Sequence, residues 1–196
     1  MSITGTVTVR DNKYRPKGDF HRVEPNTPIR SADEGWRLLG VTNPREMVYI
    51  HSYGGEAPFF ESLGRGRLLA TRCANPACGM QGTVYQPFRI HCIDCLGRNT
   101  IFDMTELAQK TARIHTFMVC ERSGAFNVLP TPIKFINIEF DGVATILMSY
   151  LSAGEPTIGM RVVPIFRTVD PTYTILDLSW VPEGTQAEDL PQGFTF

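Results

Sequence analysis

The chain has no run approaching the roughly 20 consecutive apolar residues that a membrane-crossing helix requires, so no membrane partner is expected. It also lacks an excess of either charge: 19 Lys and Arg stand against 20 Asp and Glu, a net charge of −1. Nucleic-acid binders draw much of their affinity from basic residues that neutralise phosphates, and this balance argues against such a partner. The first twenty residues, MSITGTVTVRDNKYRPKGDF, show no charged start followed by an apolar run. A secretory signal is therefore not expected, and the cytoplasm is the expected location. Catalytic signatures are missing too. There is no Gly-rich phosphate loop, no Gly-x-Ser-x-Gly elbow and no His-Glu-x-x-His helix. His21, His51, His91 and His115 are scattered, and Glu183 and Glu188 lie in a polar tail. No self-sufficient active site, and hence no catalytic residue, is expected.

What the chain does have is cysteine in a pattern. Four of its five cysteines form two close pairs, Cys73-x4-Cys78 and Cys92-x2-Cys95, separated by thirteen residues. Two such pairs on separate turns let four thiolates converge tetrahedrally, as in a closed structural metal site. Zinc is the expected ion, one per chain, although an all-sulfur tetrahedron suits iron as well. Four thiolates leave no position open for water, so the metal is expected to be structural. Gly79 and Gly97, each shortly after a pair, are expected to supply the tight turns, and Asn75–Pro76 to widen the first knuckle. His91 is expected to be an ordinary surface residue. Cys120 should be a small buried hydrophobe, facing away from His115 five positions earlier.

The texture of the chain suggests a mainly β protein. Residues 1–57 are polar and turn-rich and read as an N-terminal arm that wraps a partner. One short helix is expected there, from a Ser31–Glu34 capping box through Trp36 and Leu39 to a stop at Gly40. Residues 58–98 read as a helix plus a metal ribbon. Pro58 opens the helix, Phe59, Phe60 and Leu63 share a face, Gly64 and Gly66 end it, and a strand over 67–72 leads into the first cysteine pair. Residues 99–182 carry β-rich runs at 113–119, 133–140, 143–150, 160–166 and 173–180, with Asp141–Gly142 as the best hairpin turn. About five short strands closing on themselves indicate a small OB-fold barrel. Residues 183–196 read as a polar tail.

From Pro58 to Pro182 the chain resembles the DUF35 family, which joins a rubredoxin-like zinc ribbon to an OB-fold barrel. The matching segments are PFFESLGRGRLLATRC, QPFRIHCIDC, ARIHTFMV, IGMRVVPIF and DLSWVP. The resemblance implies an accessory subunit of an acyl-CoA enzyme, beside a larger thiolase-like catalytic subunit, with acyl-CoA at a shared site. On that reading Phe88, or Phe126 and Leu129 in the loop Arg122–Pro132, would line the substrate. Trp36, Tyr53, Phe59 and Phe60 would contact the partner. The long first knuckle, the glycine-poor segment 108–111 and the long arm depart from the family pattern and imply a specialised subfamily. Another acyl-CoA enzyme (hydratase, aldolase or acyltransferase) is the first alternative partner. A single-stranded nucleic-acid module is the alternative of a different class, because ribbons and OB barrels also serve there.

Overall fold

The computed structural model describes four strands within residues 1–52 and, beyond them, residues 53–122 and 128–196. The chain divides into two compact units, 1–52 and 53–196. In the first unit β1 (Gly5–Arg10) pairs antiparallel with β2 (Lys13–Gly18), and β3 (Pro28–Arg30) with β4 (Leu38–Val41). The expected short helix is corrected here at its C-terminal end. Leu39 and Gly40 lie in β4, where ladder hydrogen bonds to β3 outweigh a weak local helix signal. Ser31, Glu34 and Trp36 lie outside the described residues. Strands β1 and β2 were not anticipated, although Thr6-Val7-Thr8-Val9 alternates with period two.

The second unit opens with a 3-10 turn at Gly54–Glu56 and helix α1 (Ala57–Leu63), with Pro58 in its first turn and Gly64 at its C-cap. Gly66 takes φ +72°, in the left-handed region, and so stops the helix as anticipated. Strand β5 (Leu69–Arg72) follows, then β6 (Val84–Tyr85) and β7 (Thr100–Asp103). β5 is central and pairs antiparallel with both neighbours, so β7, beyond the residue-98 boundary, completes the ribbon sheet.

Helix α2 (Thr105–Thr111) occupies the segment read as a glycine-poor turn. The lack of glycine has a local reason: Leu107, Ala108, Gln109 and Lys110 are strong helix formers, and Lys110 pairs with Glu106 one turn back. Ala108 and Ala112 are fully buried, and the Ala112 carbonyl accepts the Val162 N–H, which seats α2 against the barrel.

The barrel strands are β8 (Arg113–Cys120), β9 (Ile133–Glu139), β10 (Leu147–Tyr150), β11 (Val162–Arg167) and β12 (Leu178–Pro182). β8, β9 and β10 form one antiparallel sheet, and β11 pairs with β12. A parallel bridge from Leu151 to Trp180 and an antiparallel bridge from Arg113 to Arg161 close the ring in the order β8-β9-β10-β12-β11. This is the OB barrel expected from the β-rich runs. Asp141–Gly142 does form a turn, with Gly142 at φ +73°, but β9 and β10 join through a longer connection. That connection reaches the ribbon. Ala144 N–H donates to Val84 O, and the Thr145 hydroxyl both accepts from Gln86 N–H and donates to Gln86 O.

The C-terminal segment is not a free polar tail. Strand β13 (Phe194–Thr195) pairs with the outer edge of β11, and the Arg167 guanidinium lies over the Phe194 ring. One buried apolar cluster runs from α1 through the ribbon base to the barrel, including Leu63, Ala70, Val84, Ile138, Val162 and Trp180.

Candidate metal centre and apolar groove

The two cysteine pairs meet at the ribbon tip. The Sγ atoms of Cys73, Cys78, Cys92 and Cys95 all lie within 4.8 Å of one another. Cys73 and Cys95 are 3.9 Å apart, as are Cys78 and Cys92. A disulfide needs about 2.05 Å between sulfurs. A tetrahedron of Zn–S bonds of about 2.3 Å has edges of ~3.8 Å, so the spacing fits a bound metal ion and not cystine. Cys73, Cys78 and Cys92 are buried and Cys95 is partly exposed.

Each knuckle follows from its own residues. In the first, the Asn75 side chain accepts Ala77 N–H, its carbonyl accepts Cys78 N–H, and Met80 N–H donates to Cys78 Sγ at 3.3 Å. The left-handed turn falls at Gly82 (φ +78°), whose N–H returns to Cys73 O, rather than at Gly79. In the second, Leu96 itself takes φ +56°, and a Cβ at Gly97 would sit 3.3 Å from Cys95 Sγ, a tight approach that glycine avoids. The Tyr85 hydroxyl lies 3.6 Å from Cys92 Sγ. The N–H groups of Cys95 and Asp94 pull the Cys92 thiol down to about 6, and burial pushes the Tyr85 phenol up to about 12. Tyr85 is thus a protonated donor facing a thiolate, a partner that sequence reasoning missed. The Cys78 thiol donates to the Asp94 carboxylate at 3.2 Å, a second contact that sequence reasoning missed. No pattern of spacing marks either.

The other sequence-derived site residues are dispersed. Phe59 is 4% exposed and packs largely into the protein's own core, at the edge of a surface pit. Phe60 is half-buried and stacks on Tyr53 at 4.0 Å, while the Tyr53 hydroxyl donates to Tyr173 O. Phe88 is buried at 6% exposure and borders a pit of about 280 Å³ with Phe60, Leu147, Met148 and Ile175. Trp36 and Phe126 lie outside the described residues. Leu129 lines a larger open groove of about 460 Å³, walled also by Pro132, Ile133, Tyr150, Leu151 and Phe194. Among the described residues of that wall, Lys134 is the one cation.

Cys120 is partly exposed rather than buried, and its thiol donates to Arg122 O. His115 sits at a bulge in β8 and meets Glu139 at 2.8 Å, so it does not serve Cys120 as a base. Asp177, fully buried, accepts from the N–H groups of Thr172 and Tyr173 and from the Thr172 hydroxyl, and so fixes the loop before β12. Among the described residues, no helix is long and apolar enough to cross a membrane.

A metal ribbon fused through one core to an OB barrel defines a class of protein, and the comparisons with known proteins fall within it. The chain has the fold of the DUF35 proteins. A DUF35 protein of unknown function from Sulfolobus solfataricus matches with 18% identity and a TM-score of 0.48, over 68% of this chain and 90% of that one. A structure described as an Ltp2–ChsH2(DUF35) aldolase matches with 20% identity and a TM-score of 0.51, over 69% of this chain and 98% of that one. No family model matches the chain, and no curated protein matches it.

Proposed function

We propose that this chain is a non-catalytic zinc-ribbon and OB-fold accessory subunit of a thiolase-type acyl-CoA enzyme, and that it forms part of the acyl-CoA site. The small subunit of benzoylsuccinyl-CoA thiolase, from anaerobic toluene degradation, is the particular protein we put forward. The observation that carries the reading is the open, largely apolar groove beside Leu129. It has the size of a ligand site and the lining of an acyl site. Thiolysis needs an activated thiolate, a base and an oxyanion hole. Among the described groove residues there is no cysteine and no histidine, so those parts would come from a larger subunit. The four thiolates fill a tetrahedral ion's coordination, so zinc here is structural.

Two further observations support the reading. The second knuckle holds Ile93 and Leu96 out to solvent, Leu96 at 75% exposure, as a surface awaiting a partner would. The Ltp2–ChsH2(DUF35) aldolase, whose fold this chain shares, joins a DUF35 chain to an enzyme. The wrapping role of residues 1–57 belongs to the same proposal, with Trp36, Tyr53, Phe59 and Phe60 as contacts.

The test is co-purification. A tagged chain should bring down a larger acyl-CoA enzyme, and acyl-CoA turnover should need both subunits. Leu129→Asp in the reconstituted complex should lower turnover about tenfold or more by placing a charge on the acyl wall. Turnover by the isolated, zinc-loaded chain would sink the proposal, as would a complex indifferent to Leu129→Asp.

A further inference from the structure

Strand β8 is paired along its whole length on one side, where it ladders with β9 from Arg113 to Cys120. Its other side is held only at the start. There the Ile114 N–H donates to Met160 O, the Gly159 N–H donates to Ile114 O, and Arg113 bridges to Arg161. Among the described residues, nothing hydrogen-bonds the backbone of that edge from Thr116 to Cys120. The strand therefore runs on past the closure of the barrel with a row of backbone groups open to pairing. Its side chains are open as well. His115 to Val119 are all exposed, Phe117 at 41%, Met118 at 59% and Val119 at 40%. Edges that must stay unpaired are blunted by lysine, proline or a bulge. The stretch Thr116-Phe117-Met118-Val119-Cys120 has no charge and no proline, and the bulge in β8 comes before it. An apolar free edge of this kind recruits a strand.

We propose that the strand it recruits is β8 of a second copy of this chain, laid antiparallel about a two-fold axis at Met118. Three features favour that occupant. The free stretch runs from 116 to 120 with Met118 at its midpoint, so an axis there lets two copies cover each other's free edge in full. On that axis Phe117 faces Val119 of the second copy, and symmetry repeats the pair. Aromatic against β-branched is a favourable cross-strand pair. The charges at the ends also match. Glu121, exposed and without a partner among the described residues, falls opposite His115 of the second copy. That imidazole uses only Nδ1 in its contact with Glu139, and a second carboxylate completes the partners of its protonated form. Moving the axis half a residue to either side instead sets Arg122 opposite His115 or opposite Arg113, a like-charge contact. In the pairing at Met118 the β10-β9-β8 sheets of the two copies run on as one. The proposal stands apart from the accessory-subunit reading, because it uses no acyl site and no catalytic partner.

The test is the oligomeric state of the full metal-loaded chain, read by sedimentation across the micromolar range. A reversible dimer should form. Met118→Lys sets two ammoniums face to face on the axis and should weaken it about tenfold or more. Met118 is exposed, so this variant should keep its metal content and its denaturant midpoint. Glu121→Arg replaces two favourable end contacts by repulsive ones and should weaken the dimer about threefold. The position of the axis is read separately, in a Cys120→Ser background. With oxidised glutathione, Met118→Cys should form a disulfide between copies, whereas Val169→Cys, at a site also 59% exposed, should not. A chain that stays monomeric, a dimer indifferent to Met118→Lys, or equal cross-linking at the two positions would overturn the proposal. Cross-linking of Met118→Cys to a larger co-purifying subunit, with none between copies, would also overturn it and would leave the accessory-subunit reading standing.

Discussion

At the scale of single residues, the metal centre depends on thiolates and on the donors that face them. Cys92 is the most constrained of the four, since two backbone N–H groups and the Tyr85 hydroxyl converge on its sulfur. Serine in its place offers a hard, protonated oxygen where the ion needs a thiolate, and three ligands cannot close the tetrahedron. Cys92→Ser should therefore lose its metal ion, measured by metal content after dialysis, and, on the proposed function, release the catalytic partner. Retention of full metal content and complex activity would contradict this. Tyr85→Phe is the graded counterpart. It keeps the buried ring and deletes only the hydroxyl that supports the thiolate. The metal should stay bound but yield to a chelator at about tenfold lower concentration, as is usual when an outer partner of a ligand is removed.

At the scale of elements, the ribbon and the barrel are joined by Thr145. Its hydroxyl accepts from Gln86 N–H and donates to Gln86 O, and Gln86 is fully buried. Thr145→Val preserves shape and strands both backbone groups. It should cost about 1–3 kcal/mol, read as a lower denaturant midpoint with unchanged metal content. An unaltered midpoint would show that the junction is held elsewhere. No sequence pattern announces this joint, because it links residues 59 positions apart. Where the structure follows a local rule, it was legible: α1 from Pro58 and Gly64, β8 from its β-rich run, and the thiolate cluster from its spacing. The cluster was readable because four ligands of one type on two short turns admit few arrangements. Long-range pairing decided the rest. β4 takes Leu39 and Gly40 from an expected helix because β3 is alongside. β13 anchors a segment read as a tail because the β11 edge is available. The bulge at His115 and the left-handed Leu96 depend on neighbours that a single stretch of sequence does not show. The groove illustrates the same limit. Leu129 could be named from its loop, but Lys134 enters the wall only through the register of β9.

At the scale of the second unit, two apolar clusters coexist. The larger joins α1, the ribbon base and the barrel, and the smaller contains Cys73, Cys78, Tyr85 and Cys92, with Met80 and Cys95 packed against it. The smaller cluster is mostly sulfur ligands. Without the ion it retains one aromatic ring and a few thiols, too little apolar area to offset the chain entropy of ordering two knuckles. The larger cluster contains no ligand and has no comparable dependence on metal. Metal removal should therefore fray the tip and spare the barrel, a local opening rather than global unfolding. Hydrogen exchange can resolve the two. After chelation, the amides of Gly82 and Cys92, which close the knuckles onto Cys73 O and Gly97 O, should lose most of their protection. The amides of Ile136 and Ile138 on β9 and of Val162, which donates to Ala112 O, should exchange at nearly their metal-loaded rates. Loss of protection in the barrel as well would mean that the two clusters fold as one, with the metal sustaining the whole unit.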